Sequence, residues 1–61
     1  MAPREIFVEF VVHGNSAKCT AIDSVTGLEA SVVGPAAARA ALVETARRKL
    51  EALAKKKNGG T

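Results

Sequence analysis

The feature that most constrains this chain is the pair Gly14-Asn15, which lies between two segments whose side chains alternate in polarity. Apolar side chains recur at every second position of residues 4–13, a spacing typical of a β-strand. Glycine at the first central position of a two-residue loop favours a type II′ turn, and residues 17–23 are then predicted to return as a second strand. A loop this short leaves a single register for the two strands.

This register divides the side chains of the hairpin between two faces. It places Phe10 opposite Cys19 on the first face and Phe7 opposite Ile22 on the second. The central pairs of the first face are entirely apolar, so this face is predicted to form the core. The second face mixes apolar and charged side chains, as an antiparallel sheet does on a side that a core does not cover.

A second turn is predicted between Asp23 and Gly27. The Asp23 carboxylate can accept hydrogen bonds from nearby backbone N–H groups, and Gly27 can adopt the left-handed conformation that closes such a loop. Residues 28–33 then form a third strand, with Ala30 opposite Ala21 on the core face. The sequence therefore predicts a three-stranded antiparallel β-meander.

The C-terminal part of the chain is rich in Ala, Leu, Arg, Lys and Glu, which are strong helix formers. Pro35 suits a first helical turn, and Asn58-Gly59 suits a C-terminal stop. We predict one long helix over about residues 35–57 and a disordered tail over residues 58–61. The apolar residues of the helix form one stripe at helical spacing: Leu42, Val43, Ala46, Leu50, Leu53 and Ala54.

These elements predict a single α+β domain over residues 1–61, with the meander in one layer and a C-terminal amphipathic helix in the other. A chain of 61 residues buries only roughly 60% of its unfolded surface, so its stability needs support. With one cysteine and one histidine, neither an intrachain disulfide nor a zinc site is expected. Oligomerisation is the remaining means of support.

The second sheet face is the predicted association surface, because a single helix covers only the first face. It carries four apolar side chains: Phe7, Val11, Ile22 and Val33. We therefore expect a homodimer, and the sequence leaves its geometry open. The sheets can join edge to edge or through this face, or the helix can leave its own sheet at the hinge Gly34-Pro35 and cover the neighbouring one. The swapped dimer would depend on three helix residues: Leu42, Leu50 and Leu53.

No enzymatic site, cofactor or metal is expected from the sequence. Gly34 precedes the predicted helix start, but V-G-P-A-A-A lacks the other residues of a phosphate-binding loop. Cys19 is expected to be buried and inert, and His13 to be a surface residue beside the hairpin turn. Glu5 and Glu9 would lie about 13 Å apart along a strand, too far for a glycosidase-type pair.

Nucleic-acid binding is an alternative that the basic helix raises. The net charge is +3, and the candidate contacts are five helix residues: Arg47, Arg48, Lys55, Lys56 and Lys57. However, Glu44 and Glu51 are spaced to pair with Arg48 and Lys55, and the helix carries no aromatic side chain for base stacking. The sequence therefore favours a solvated helix face.

A cytoplasmic location without membrane association is expected. Glu9 interrupts the N-terminal apolar run, so this run does not match a signal peptide. No stretch reaches the length of about 18 apolar residues that a membrane-spanning helix needs.

Three segments, REIFVEFVVHGNSAKCTAID, TGLEASVVGP and the helical RRKLEALAKK, resemble a family of short bacterial proteins of alphaproteobacterial type and unknown function. The resemblance covers the chain from Arg4 to Lys56. It implies a free-standing protein rather than a fragment of an enzyme, and it brings no activity, cofactor or catalytic residue. We expect a homodimeric interaction protein whose partner is unknown. The alternatives are nucleic-acid binding by the helix and an accessory subunit that docks Phe7 and Ile22 on another protein.

Overall fold

A computed structural model describes the backbone of residues 4–59 and the side chains of residues 4–56. The three strands form one antiparallel sheet in the order β1-β2-β3, followed by a single α-helix, which confirms the predicted β-β-β-α fold. The elements are β1 (Ile6–His13), β2 (Ser16–Asp23), β3 (Glu29–Pro35), a 3₁₀ turn (Ala36–Ala38) and α1 (Arg39–Gly59).

The predicted strand registers are confirmed. Phe10 lies opposite Cys19, and Ala21 lies between Val8 on β1 and Ala30 on β3. The alternation of the sequence therefore places the first face of all three strands on the same side of the sheet.

Both turns depend on a glycine with positive φ, which is 61° at Gly14 and 78° at Gly27. Asn15 does not share the positive φ of Gly14, and this combination is the one that a type II′ turn requires. In the second turn, the Gly27 N–H donates to the Asp23 carbonyl, and the Asp23 N–H donates to the Leu28 carbonyl, both at 2.9 Å. Both predicted turns are thus confirmed at the residues on which the predictions were based, Gly14 in the first turn and Asp23 and Gly27 in the second.

The predicted helix start at Pro35 is wrong, because Pro35 ends β3 and the α-helix begins at Arg39. Pro35 has φ −62° and ψ 134°, an extended conformation. The proline ring fixes only φ, and a value near −65° suits extended backbone as well as a first helical turn. The Ala36 N–H donates to the Asn15 carbonyl at 2.8 Å, which fixes the connection between β3 and α1 against the hairpin turn.

The predicted helix end and strand bounds also need correction. The helix continues to Gly59, so residues 58 and 59 belong to it rather than to a tail, and residues 60–61 lie outside the described residues. A glycine costs only about 1 kcal/mol within a helix, which does not by itself stop one. The first strand begins at Ile6 rather than at residue 4, and the third occupies Glu29–Pro35 rather than 28–33.

The helix packs on the inner face of the sheet, over β2 and β3 more than over β1. The side chains of the buried core are mostly small: Ala17, Cys19, Ala21, Ala30, Leu42, Ala46 and Leu50. Small side chains on β2 and β3 let the helix approach these two strands closely, whereas β1 carries larger ones on the same face. Val12 on β1 remains 59% exposed, so one helix covers the inner face only in part.

Helix and sheet approach each other closely at Gly34, which pairs with Ala17 in the sheet. A Cβ atom added to Gly34 would lie 2.7 Å from Cδ2 of Leu42, which is buried in the core. The absence of a side chain at this position therefore makes room for the first buried leucine of α1.

Gly34→Ala is expected to lower the free energy of unfolding by about 1–3 kcal/mol, because Leu42 must move away from the added methyl group. Leu42→Val removes the Cδ atoms that the methyl group would meet. In that background, Gly34→Ala should be neutral or stabilise by about 0.4–1 kcal/mol, since alanine restricts the unfolded chain more than glycine does. Urea unfolding followed by far-UV circular dichroism measures both effects, because the chain has no Trp or Tyr. An equal cost in the two backgrounds would contradict this role of Gly34.

Candidate interaction surfaces

The outer face of the sheet, on the side away from α1, is one candidate surface. We define it by the four predicted residues Phe7, Val11, Ile22 and Val33, which the strand registers bring onto the same face. Phe7 is 54% exposed, Val11 59% and Val33 71%, while Ile22 is half-buried. Most of the apolar area of this face therefore contacts solvent in the single chain.

Polar groups between these side chains are arranged in cross-strand rows. Lys18 lies between Val11 and Val33 in one row, and Thr20 pairs with Ser31 in the next. The Thr20 and Ser31 hydroxyls form a hydrogen bond of 2.8 Å with each other. One of these hydroxyls donates to the other, so a protein that covers this row would have to supply an acceptor for the O–H of the accepting hydroxyl.

The residues predicted for a swapped dimer have different environments in the single chain. Leu42 and Leu50 are buried against the sheet of their own chain, and Leu53 remains 38% exposed. Gly34 and Pro35, the predicted hinge, are paired residues at the end of β3.

A groove between β1 and α1 is a second candidate surface, which sequence reasoning missed. It exists because the helix lies over β2 and β3 and leaves the side of β1 open. Its apolar floor includes Ile6 and Val43, both half-buried, and Ala40 and Ala52 on the exposed side of the helix. The charged residues that line it are Arg4, Arg39, Glu44, Arg47, Arg48, Glu51 and Lys55.

Two of these arginines are held in place by neighbouring side chains. Nη2 of Arg48 donates to Oε1 of Glu44 at 2.8 Å, which confirms one predicted i,i+4 pair. The Arg39 guanidinium carbon lies 4.2 Å from the centroid of the Phe10 ring, a cation–π arrangement that covers this aromatic ring. The sequence analysis missed this contact, because register shows which strand residues are paired but not where a helix crosses them.

The other predicted ion pair, Glu51 with Lys55, does not form among the described side chains, although both residues line the groove. Of the five basic residues considered for nucleic-acid contact, Arg47, Arg48 and Lys55 line the groove. Lys56 is exposed outside it, and the side chain of Lys57 lies outside the described residues.

The Asp23 carboxylate is buried at the turn between β2 and β3. Its Oδ1 accepts hydrogen bonds from the N–H groups of Val25 at 2.8 Å and Thr26 at 3.2 Å, as the predicted turn requires. Its Oδ2 accepts a hydrogen bond from Nε of Arg4 at 2.6 Å. Burial alone would raise the pKa of Asp23, but these backbone hydrogen bonds and the Arg4 guanidinium outweigh it and hold the pKa below its ordinary value.

The sequence analysis did not predict the contact between Arg4 and Asp23, although the register contained a signal for it. Ile6 pairs with Asp23, and Arg4, two residues before Ile6, falls on the same side of the sheet as Asp23. A long cationic side chain at that position can reach a buried carboxylate at the adjacent strand end.

Cys19 and His13 lie where the sequence placed them. Cys19 is fully buried beneath the helix, and burial raises the pKa of its thiol, an effect that the charge of Arg39 partly offsets. His13 is exposed and pairs with Ser16 beside the hairpin turn.

Within residues 4–59, no group of three His, Cys, Asp or Glu side chains is placed to hold a metal ion. In the same part of the chain, no helix combines the length and apolarity needed to cross a membrane.

The fold and its two surfaces define a small two-layer β-β-β-α protein whose single helix covers its sheet incompletely. A family model described as "Domain of unknown function (DUF6898)" matches residues 3–57, and the chain belongs to this family. Its membership in a family of unknown function, which the resemblance implied, is thus confirmed. No curated protein and no solved structure matches the chain.

The stability of the protein is expected to depend on pH through Asp23. Because the pKa of Asp23 is lower in the folded chain, its contribution is present above the ordinary value of 3.8. This contribution is lost as the pH falls through the lowered pKa, since the unfolded chain binds the proton first. Asp23→Asn should reduce the free energy of unfolding at neutral pH and flatten its decline across that acidic interval.

Urea unfolding at a series of pH values measures this effect. Glu51→Gln is the matched control, since it removes an exposed carboxylate and should leave the pH dependence close to that of the unmodified chain. A decline of unchanged steepness in Asp23→Asn would show that another group causes it.

Proposed function

We propose that this protein is a non-enzymatic interaction module that acts as a homodimer through its outer face. The observation that carries the proposal is the exposure of Phe7, Val11 and Val33, each by more than half, on one side of a sheet whose other side packs on the helix. Large apolar side chains that share one exposed face are characteristic of association surfaces.

The size of the chain supports an interface that covers the whole outer face. A standard interface takes about 800 Å² from each partner, which is roughly a sixth of the 4545 Å² surface of the chain. Phe7 and two valines do not supply that area alone, so the row of Thr20 and Ser31 between them has to be covered as well. The hydrogen bond between these two hydroxyls satisfies one of their two O–H donors, so the partner surface has to supply an acceptor for the other.

The packing of the helix favours this geometry over a helix swap. Leu42 and Leu50 are already buried against their own sheet, so a swap would only re-form the same contacts on a neighbouring chain. The bond between the Ala36 N–H and the Asn15 carbonyl holds the connection that a swap has to reopen. Face-to-face pairing of two sheets buries additional area and keeps both the packing of Leu42 and Leu50 and the hydrogen bond between Ala36 and Asn15.

Nucleic-acid binding through the helix has weaker support. Arg48 is paired with Glu44, and Glu51 adds a second negative charge to the same groove. Phe10, the aromatic residue nearest to these cations, is covered by Arg39 and does not offer a free ring for base stacking.

Sedimentation equilibrium at micromolar concentration should give about twice the monomer mass, and Phe7→Glu should shift it to the monomer mass. A glutamate in the row of Phe7 and Ile22 would be buried by the partner without a counter-charge in both subunits. Val25→Glu is the matched control, because Val25 is also exposed but lies in the turn after β2, away from the outer face. The Val25→Glu variant should therefore remain a dimer.

A monomer for the unmodified chain at this concentration would overturn the homodimer. It would leave the same face available to another protein, the accessory role considered from the sequence. A dimer that survives Phe7→Glu but weakens with Leu53→Ala would identify the swapped arrangement, since Leu53 is the partly exposed leucine of the helix.

A further inference from the structure

We propose that the groove between β1 and α1 binds an acidic amphipathic helix of a partner protein. The groove lies on the opposite side of the sheet from the outer face, so this inference is independent of the homodimer. It rests on the shape of the groove, its apolar floor and the charges along its sides.

The shape of the groove matches a helix of about four turns. The α1 residues that line it recur every three or four positions from Ala40 to Lys55, which forms one continuous stripe along the helix. These fifteen steps span about 22 Å at the rise of an α-helix. The opposite side is shorter and consists of Arg4 and of Ile6 at the start of β1. A helix docked in parallel with α1 would therefore contact α1 along its length, with Arg4 and Ile6 on its other side.

The floor of the groove requires apolar side chains from its occupant. Ile6 from the start of β1 and Val43 from α1 are only half-buried, and the methyl groups of Ala40 and Ala52 are exposed next to them. An amphipathic helix presents apolar residues at the same three- and four-residue spacing, so one of its faces can cover this floor.

The charges beside the floor favour an acidic occupant. Five basic residues line the groove against two glutamates. Arg4 is paired with Asp23 and Arg48 with Glu44, whereas Arg47 and Lys55 have no ion-pair partner among the described side chains. Carboxylates beside the apolar stripe of the occupant could form ion pairs with Arg47 and Lys55 on α1.

Two other occupants fit the groove less well. The helix of a second copy carries the same surplus of Arg and Lys on its exposed surface, so it would be repelled by the sides of the groove. A nucleic acid would place phosphates near Glu44 and Glu51 and would leave the apolar floor uncovered.

The test uses a fluorescein-labelled synthetic helix of about 16 residues. Leucine occupies one face of this peptide, and glutamate flanks the leucine stripe. Fluorescence anisotropy with the full chain should show saturable binding that weakens as salt is added. Two control peptides, one with lysine in place of glutamate and one of the same composition without a leucine face, should bind at least about tenfold more weakly.

Arg47→Glu should weaken binding of the acidic peptide by about tenfold, because it replaces attraction with repulsion beside the floor. Lys56→Glu makes the same change in charge on the same helix but outside the groove, so it should have a much smaller effect. Phe7→Glu should leave peptide binding unchanged whether or not it alters the oligomeric state. Measuring both peptide binding and oligomeric state in Phe7→Glu therefore distinguishes a failure of the groove proposal from a failure of the homodimer proposal.

The inference is overturned if the acidic peptide does not bind, or if it binds no better than either control peptide. Equal affinity of the unmodified chain and Arg47→Glu would also overturn it. A DNA duplex of similar length that binds more tightly than the peptide would instead assign the groove to nucleic acid.

Discussion

The structure depends on one constraint: a single helix has to provide the whole inner layer for a three-stranded sheet. A helix packs closely only where the opposing side chains are small, and these lie on β2 and β3, where Leu42 leaves no room for a side chain at Gly34. The helix is therefore displaced toward that side. Leu42, Ala46 and Leu50 fill the narrow core, and the larger side chains of β1 remain at its margin.

Both candidate surfaces are consequences of this displacement and of the single helix. The outer face is exposed because nothing in the described chain lies on the other side of the sheet. The groove is exposed because the helix that covers β2 and β3 does not reach over β1. Arg39 lies over Phe10, while Val8 and Val12 on the same strand remain exposed. The incomplete cover of the sheet explains why a chain this small exposes two candidate surfaces.

The strands and turns could be predicted because their signals are local. Alternation, the two-residue loop at Gly14 and the carboxylate of Asp23 each act within a few residues, and the register follows from them. The same local reasoning misplaced the helix start, since Pro35 suits extended and helical backbone equally well. It also missed the contact of Arg4 with Asp23, which joins residues 19 positions apart.

The sequence by itself determined the order of the elements, the pairing of the strands and which residues form the exposed outer face. These depend on side-chain period and turn chemistry, which are properties of short segments. Only the tertiary structure decided where the helix lies across the sheet, because that position depends on the combined side-chain volumes of three strands. The groove and the placement of Arg39 over Phe10 follow from that position, so neither could be predicted from the sequence.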